Sequence, residues 1–412
     1  MGGVRPGWLQ RSLGELCSIA RGGSPRPIQA FLTDAEDGIN WVKISDATAS
    51  GKYIYTTAEK IKPAGASRSR IVKDGDLLLS NSMSFGRPYI MRTTGCIHDG
   101  WLVLSEYDTS FNQDFLYHLL GSPQVFDQFD RLAAGSTVRN LNIDLASRVM
   151  LPVPPIGEQR RIVAILDEAF EAIATAKANT EKNLQNAREV FTSRRERVFS
   201  EQGANWRRVP LDCIGATQTG STPKSSEPEN LGHHLPFVKP GDFNRDGSIT
   251  FDNEGLSEIG AQKARRVQAN SALMVCIGAT IGKTGFSERE IATNQQVNAW
   301  TATTSNSAKF IYYQMTCSDF QLRVRQGAGQ ATLPIINKSK WSALTVATPP
   351  TLDAQLKIVA ELDAFLAESM NLEAVYEGKL AALDELKKSL LHQAFAGALT
   401  AKTTDQQVAE LA

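Results

Sequence analysis

Two long stretches of the chain place apolar residues at helical spacing. Residues 157–200 contain no proline and no glycine after the first position, and the apolar positions include Ile162, Leu166, Ile173 and Phe191. The second stretch ends at Gly397 and carries Leu362, Phe365, Leu383, Leu390 and Phe395. Proline ends an element or starts a helix, and each stretch is preceded by a proline pair, Pro154-Pro155 or Pro349-Pro350. The pattern predicts two helices, each of about 44 residues and about 66 Å long.

Shorter patterns fill the rest of the chain. Runs typical of β-strands occur at 39–45, 76–80, 101–104, 235–239 and 272–277, and helical patches lie near 111–131 and 307–326. Loops rich in Gly, Ser, Thr, Asn and Pro separate these runs. We therefore predict two mixed α/β modules whose loops, held on a fixed scaffold, carry the binding residues.

The second half of the chain repeats the first. An offset of 196 residues places Lys43 on Lys239 and Gln159 on Gln355, and an offset of 198 places Trp8 on Trp206. The predicted divisions are a first module at 1–155, a central helix at 156–205, a second module at 206–351, a C-terminal helix at 352–400 and a polar tail at 401–412. Two long helices bury their apolar stripes most simply as an antiparallel coiled-coil pair, which gives a pseudo-twofold dumbbell with a module at each end.

Composition narrows the possible functions. The 412 residues include 44 lysines and arginines and 44 aspartates and glutamates, which argues against a strongly basic nucleic-acid binder. The charge is uneven, because 206–351 carry 15 cations against 11 anions and 352–412 carry 5 against 10. A DNA-binding protein with no net charge needs locally clustered positive charge, or partner subunits that supply phosphate contacts.

Several other classes are disfavoured. No apolar run approaches the roughly 18 residues that span a bilayer, and the first ten residues lack a signal-peptide core. The five cysteines form no CxxC pair, so a disulfide framework or a zinc site is not expected and a cytoplasmic location fits. The histidines show no metal-ligand spacing, and His98-Asp99 is interpreted as a solvated loop pair rather than a catalytic one. We expect no bound cofactor and no catalytic residue.

One loop imitates a phosphate-binding motif. The run from Gly278 to Thr284 contains a Gly-Lys-Thr ending, but only three residues separate its glycines where a P-loop needs four. The first repeat has Gly86-Arg87 at the matching place. The favoured alternative is a tight turn that presents Arg87 or Lys283 to a phosphate or a guanine edge, with a plain solvated turn left open.

Three further loop pairs are candidate DNA contacts. They comprise Lys43, Ser45 and Asp46 with Lys239 and Asp242; Ser24 and Arg26 with Thr222 and Lys224; and Arg139 and Asn140 with Gln330 and Thr332. Lysine and arginine suit phosphates, and Arg, Asn and Gln read purine edges. Each pair also has a structural interpretation, in which the aspartate caps its own turn or the loop is merely polar.

The repeated framework resembles one known family, the DNA-specificity subunits of type I restriction–modification enzymes. The resemblance rests on the order of several short segments, each weak by itself. They are Leu151-Pro-Val-Pro-Pro155, Gly157-Glu-Gln159 through Asp167, Gln355 through Asp363, Leu386 through Leu399, and the module openings at Trp8 and Trp206.

The resemblance implies that each module reads one half of a split DNA target and that the helices set the gap between the halves. It also implies that the two helices, with the apolar positions named above, dock two modification subunits that bind S-adenosylmethionine and methylate adenine at N6. Restriction subunits that use ATP and Mg would join the same assembly. The competing interpretations are a coiled-coil scaffold whose modules bind proteins, and an NTPase fragment.

Overall fold

The computed structural model describes residues 5–81, 85–133, 140–244, 246–303, 305–329 and 333–401. The chain forms two compact units. Unit 1 takes in the described residues of Met1–Thr180 and Gly378–Ala412, and unit 2 is Glu181–Glu377. Each unit therefore combines one module with half of each long helix.

Module 1 contains strands and short helices in alternation. Its strands are β1 (Leu9–Ser12), β2 (Ser18–Arg21), β3 (Leu32–Thr33), β4 (Ile39–Val42), β5 (Tyr53–Ile54), β6 (Glu59–Ile61), β7 (Arg70–Val72), β8 (Leu77–Ser80), β9 (Pro88–Met91), β10 (Gly95–Ile97), β11 (Trp101–Ser105) and β12 (Met150–Val153). Its helices are α1 (Leu13–Leu16), α2 (Ile44–Ser50), α3 (Pro63–Ala66), α4 (Gln113–Leu120), α5 (Pro123–Ala133) and α6 (Ile143–Ser147).

The strands of module 1 form two five-stranded sheets, ordered β3-β6-β4-β10-β7 and β2-β11-β8-β9-β5, and the two-stranded pair β1-β12. Val42, Leu78 and Trp101 belong to one buried apolar cluster that draws on both sheets. The Trp101 indole N–H donates to the Val42 carbonyl at 3.1 Å, which satisfies the polar atom of this buried ring.

The long helix α7 (Ile156–Ser200) follows module 1, and module 2 comes next. The strands of module 2 are β13 (Arg207–Pro210), β14 (Gly215–Thr219), β15 (Leu231–Val238), β16 (Gly255–Leu256), β17 (Arg266–Val267), β18 (Ser271–Val275), β19 (Thr284–Ser287), β20 (Ile291–Thr293), β21 (Val297–Ala302) and β22 (Thr345–Thr348). Its helices are α8 (Leu211–Ile214), α9 (Glu258–Lys263), α10 (Ala308–Met315), α11 (Ser318–Ala328) and α12 (Lys338–Ser342), and α13 (Leu352–Phe395) ends the fold.

The sheets of module 2 match those of module 1 with fewer strands. Their orders are β14-β21-β18-β19, β16-β15-β20-β17 and β13-β22. The sheet β3-β6-β4-β10-β7 of module 1 corresponds to the sheet β16-β15-β20-β17 of module 2. Each contains an inner pair of parallel strands, β4 with β10 and β15 with β20. The predicted pair of mixed α/β modules is confirmed, together with the internal repeat.

The two long helices run antiparallel within each unit. In unit 1 the ammonium of Lys177 pairs with Asp384, and the ammonium of Lys387 lies over the Phe170 ring. In unit 2 Arg188 pairs with Glu373 at 2.8 Å. Within each unit, residues with higher numbers on α7 contact residues with lower numbers on α13, as an antiparallel pairing requires. Exposed ion pairs contribute little, about 0–1 kcal/mol each, so burial of the apolar positions holds the helices in place.

The apolar stripes of the helices bury against the modules as well as against each other. Ile162 and Leu166 are fully buried in one cluster with Phe395 and the module 1 helices, and Leu390 packs at its edge. Leu362 is fully buried in the core of module 2, where Phe191 also packs. These stripe positions are buried within the chain, whereas Val190, Val375 and Leu386 on the same helices stay exposed.

Candidate nucleic-acid interface

The candidate site is built at the carboxyl ends of the parallel strand pair in each module. Parallel strands end at the same edge of a sheet, so the loops after β4 and β10 are neighbours, and so are those after β15 and β20. In module 1 these loops carry Lys43 and Asp99. In module 2 they carry Lys239 and Gln295. We refer to the loops after β4, β10, β15 and β20, together with residues 22–26 and 220–224, as the strand-end loops.

A glycine lets a third loop cross this edge. The Gly22 N–H donates to the Trp101 carbonyl and the Gly220 N–H to the Val297 carbonyl, both at 3.0 Å. A Cβ on Gly22 would lie 2.1 Å from the carbonyl oxygen of His98, and one on Gly220 would lie 2.2 Å from that of Asn294. Only glycine allows so close an approach of two backbone segments.

The crossing loop orients one side chain in each module. The Ser24 hydroxyl donates to Oδ1 of Asp99 at 2.7 Å. The Thr222 hydroxyl donates to Oε1 of Gln295 at 2.6 Å. The hydrogen bond from Ser24 lowers the pKa of Asp99, so this carboxyl is anionic near neutral pH. The same framework therefore presents a carboxylate in module 1 and a carboxamide in module 2.

Two predicted cations, Arg26 and Lys224, follow the hydroxyl donors Ser24 and Thr222 by two residues. The side chain of Arg26 is 80% exposed, and its guanidinium lies 3.5 Å from Asp99. The side chain of Lys224 is also 80% exposed, 3.7 Å from Glu227. Both stand where a phosphate contact costs little desolvation.

The predicted residues after β4 and β15 have clear structural roles. Asp46 and Asp242 are buried, and each carboxylate accepts the backbone N–H three residues earlier, of Lys43 at 2.8 Å or Lys239 at 2.6 Å. The ammonium of Lys43 in turn pairs with Glu59 at 2.6 Å. These contacts favour the loop-ordering interpretation, and DNA contacts by these residues stay a prediction.

In module 1 several predicted residues share one cleft of about 830 Å³. Its lining includes Ser24, Arg26, Lys43 and the exposed Ser45, together with Trp41, His98 and Asp99. The His98 ring lies 6.1 Å from both Trp41 and Trp101, and burial lowers its pKa. His98 is thus packed between aromatic rings, whereas a solvated position was predicted.

The P-loop-like segment is a β-hairpin turn. It joins β18 to β19, which pair antiparallel, and no helix follows it. Gly86 and Gly282 occupy equivalent turns with φ of +73° and +90°, where glycine is favoured. Lys283 donates to the Phe243 carbonyl at 3.0 Å, whereas Arg87 is exposed. A tight turn that presents a basic residue fits this geometry, and its DNA contact stays a prediction.

The fourth predicted pair is described only in part. Asn140 is partly buried beside Leu141, whose N–H donates to the Asn81 carbonyl at 3.0 Å. Arg139, Gln330 and Thr332 lie outside the described residues.

The remaining helix positions differ in their burial. Ile173 is 5% exposed, Leu383 is partly buried, and Phe365 lies under the guanidinium of Arg194 at 5.5 Å. Partner docking by these positions is untested and stays a prediction.

Buried polar residues tie the helices to the modules. The fully buried Gln159 accepts the N–H of Asn112 and donates to the Ser110 carbonyl at 2.9 Å. Gln355 accepts the N–H of Ser307 at 2.8 Å in the same way. The glutamine shared by the two repeats is therefore a joint between helix and module.

The cysteine and acidic side chains bear on metal binding and on nucleophilic chemistry. Among the described residues, no group of three or more His, Cys, Asp or Glu side chains is arranged to hold a metal ion. Burial raises the pKa of Cys17, Cys276 and Cys317 to about 12, so these thiols are poor nucleophiles near neutral pH. No helix in the described part of the chain is long and apolar enough to cross a membrane.

Sequence reasoning named neither side chain as a DNA contact, because Asp99 was interpreted as a solvated loop residue and Gln295 was not singled out. The 196-residue offset could have identified them, because it aligns Asp99 with Gln295 and shows that this position of the repeat differs between the modules. Their hydroxyl partners lie more than 70 positions away in the sequence, and no local pattern connects them.

Two curated relatives are similar in sequence. The type I restriction enzyme HindI specificity subunit of Haemophilus influenzae is 30% identical over 148 residues, which cover 35% of this chain and 32% of that protein. The type I restriction enzyme EcoBI specificity subunit of Escherichia coli is 20% identical, with 97% of this chain and 88% of that protein covered.

Two solved structures share the fold. A chain from a type I restriction–modification system, solved to explain complex assembly and conformational transition, matches with a TM-score of 0.80 at 21% identity and covers 96% of this chain and 100% of its own. The HsdS subunit from Thermoanaerobacter tengcongensis matches with a TM-score of 0.63 at 20% identity, covering 96% and 98%.

A family model defines the relationship. The model described as the type I restriction modification DNA specificity domain matches residues 6–186 and again residues 204–377. The two matches coincide with the two copies of the repeat and take in most of the sequence. The chain therefore belongs to the type I restriction–modification DNA specificity family and carries two copies of its domain.

Proposed function

We propose that this chain is a non-catalytic specificity subunit that reads a bipartite DNA target, one half with each module. The strand-end loops supply the contacts, with Arg26 and Lys224 on phosphates. The long helices set the distance between the two half-sites and dock the partner subunits.

One observation carries this proposal. Two modules share a backbone framework down to the glycine crossing and the hydroxyl donor, yet the side chain that the donor holds differs, Asp99 or Gln295. A common scaffold with different exposed chemistry suits recognition of two different sequences. A scaffold that binds two copies of one protein gains nothing from the difference.

We infer the partner subunits from the membership of the chain in this family. We propose that two modification subunits bind S-adenosylmethionine and methylate adenine at N6, and that restriction subunits add ATP- and Mg-dependent cleavage. This chain supplies recognition, and we place the assembly in the cytoplasm. The near-neutral charge of the chain fits such an assembly, because partner subunits then supply part of the phosphate contact.

The competing functions are less well supported. A nucleotide-binding role for Gly278–Thr284 lacks the helix N-terminus that a P-loop uses for phosphate. A purely protein-binding scaffold predicts no salt-dependent binding to DNA, whereas a specificity subunit loses affinity steeply as salt rises.

The test is methylome sequencing of a host that expresses this chain with its neighbouring modification subunit. We expect a bipartite motif of N6-methyladenine that is absent without this chain. Replacing residues 1–150 with those of a homologue should change one half of the motif and leave the other. An assembled complex that methylates no bipartite motif contradicts the proposal and favours the scaffold.

A further inference from the structure

Position 99 of module 1 and position 295 of module 2 are structurally the same position. Each lies two residues after a short strand that pairs in parallel with its neighbour. The residue between, His98 or Asn294, accepts through its side chain the backbone N–H two residues later, of Gly100 at 2.9 Å or Gln296 at 3.1 Å. The backbone turn before each side chain is therefore built alike.

Both side chains are held before any ligand arrives. The hydroxyl of Ser24 holds Oδ1 of Asp99, and the hydroxyl of Thr222 holds Oε1 of Gln295. In module 1 the carbonyl of Asp99 is also fixed, by Asn81 and Arg21, each at 2.9 Å. The Asp99 side chain is still 46% exposed. A side chain that is already oriented loses less entropy when it meets a partner.

The two side chains differ in the hydrogen-bonding character that they present. An anionic Asp99 is an acceptor only, and its second oxygen lies 3.5 Å from the Arg26 guanidinium. That long contact leaves lone pairs on the oxygen for an exocyclic amino group, whereas a carbonyl oxygen is repelled. With Oε1 of Gln295 accepting from Thr222, its amide offers two N–H donors and a remaining lone pair. That set matches the N6 and N7 edge of adenine.

Building on the proposed function, we propose that Asp99 and Gln295 are the equivalent base-reading residues of the two modules. Asp99 selects an exocyclic amino group, of cytosine or adenine, in one half-site. Gln295 selects a purine edge in the other half-site. Arg26, which lies 3.5 Å from Asp99, and the exposed Lys224 hold adjacent phosphates.

The positions of the cations support this assignment over a purely structural one. In both modules a residue with a long cationic side chain follows the hydroxyl donor by two positions, Arg26 after Ser24 and Lys224 after Thr222. A side chain that served only to order the loop would need neither the exposure nor the flanking positive charge.

The test uses the full chain assembled with its modification subunit. Variants Asp99→Asn and Gln295→Glu change hydrogen-bonding character without changing shape. Methylation is measured on duplexes in which each base pair of the wild-type motif is replaced in turn. We expect Asp99→Asn to lower discrimination about tenfold at one base pair of one half-site, and Gln295→Glu to do so in the other half only.

Matched controls separate reading from general effects of charge. Asp144→Asn and Gln268→Glu alter exposed residues of the same types outside the strand-end loops and outside the long helices, and we expect an unchanged motif. Ser24→Ala should weaken discrimination at the base pair that Asp99→Asn affects, because it frees the same carboxylate.

Two outcomes overturn the inference while leaving the proposed function intact. One is a wild-type bipartite motif that both variants methylate with unchanged selectivity. The other is a uniform loss across all duplexes, which marks a structural role. A wild-type complex without any bipartite motif overturns the proposed function, and the inference with it.

Discussion

The side-chain oxygen of Gln159 on helix α7 accepts the backbone N–H of Asn112, at the start of helix α4, at 2.7 Å. Gln355 makes the equivalent contact with Ser307 in the other unit. The first turn of a helix has N–H groups without internal partners, so each glutamine closes a helix end that the module would otherwise leave unsatisfied. The long helix thereby becomes part of the module it follows.

We expect Gln159→Ala to destabilise unit 1 by about 2 kcal/mol, because loss of the buried Gln159 amide leaves the N–H of Asn112 without its partner. Hydrogen exchange of backbone amides is the measurement. Exchange should rise across Gln113–Leu120 in this variant and stay unchanged across Ala308–Met315. Gln355→Ala should give the reverse, and Gln185→Ala, on an exposed face, should alter neither. Equal exchange in all variants would contradict the joint.

Unit 1 should lose stability in mildly acidic solution. Burial lowers the pKa of His118, whose Nε2 lies 2.8 Å from Asp167, with Lys52 and Asp114 also facing it. The unfolded chain takes up the proton at about pH 6.5, whereas the folded protein takes it up only at lower pH. Protons therefore favour the unfolded state, and stability falls as pH drops below about 6.5.

The measurement is urea unfolding at pH 7.5 and pH 5.5. We expect His118→Gln to lose less stability between these values than the wild type. The exposed His233 provides the control, since His233→Gln should leave the pH dependence unchanged. An identical loss in wild type and His118→Gln would show that another group is responsible. His98, also with a lowered pKa, is the first to examine in that case.

Gly22→Ala should impair recognition by module 1 alone. The new Cβ would lie 2.1 Å from the His98 carbonyl oxygen, so the crossing loop must shift and Ser24 must release Asp99. We expect methylation of the motif to fall about tenfold, the size of one lost base contact. Gly378→Ala is the control, because nothing lies within 4 Å and the helix gains about 1 kcal/mol. Full activity of Gly22→Ala would contradict the role of the crossing.

The helices should act as a ruler for the gap in the DNA target. The units divide after Thr180 in α7 and after Glu377 in α13. Inserting four residues at both places lengthens each helix by about 6 Å and preserves the packing inside each unit. We expect the spacer between half-sites to grow by one or two base pairs, since base pairs are spaced about 3.4 Å apart. Methylome sequencing reads the spacer directly, and an unchanged spacer rejects the ruler.

Much of the fold was predictable because it depends on local patterns. The spacing of Ile162 and Leu166, with prolines ahead, predicted α7, and the structure begins it at Ile156. The segment at 39–45 was read as one strand, but β4 ends at Val42 and α2 begins at Ile44. The carboxylate of Asp46 turns the chain there, and Ile44 alone looks like a strand residue.

The recognition chemistry was harder to predict, because it depends on contacts between distant parts of the sequence. An offset of 196 residues aligns Asp99 with Gln295, yet nothing local links Asp99 to Ser24, which lies 75 positions earlier. The apolar stripes likewise gave the helices but not their full set of partners. Leu166 meets the core of module 1 as well as helix α13.

The division of α13 between the units also determines the order in which the units are completed during synthesis. All of unit 2 lies within Glu181–Glu377. The core of unit 1 includes Leu391, Ala394 and Phe395, which the ribosome adds only afterwards. Module 1 is therefore synthesised first, but its core is completed last. Until the end of α13 is synthesised, the surface of module 1 that packs against that helix stays exposed to solvent and to other proteins.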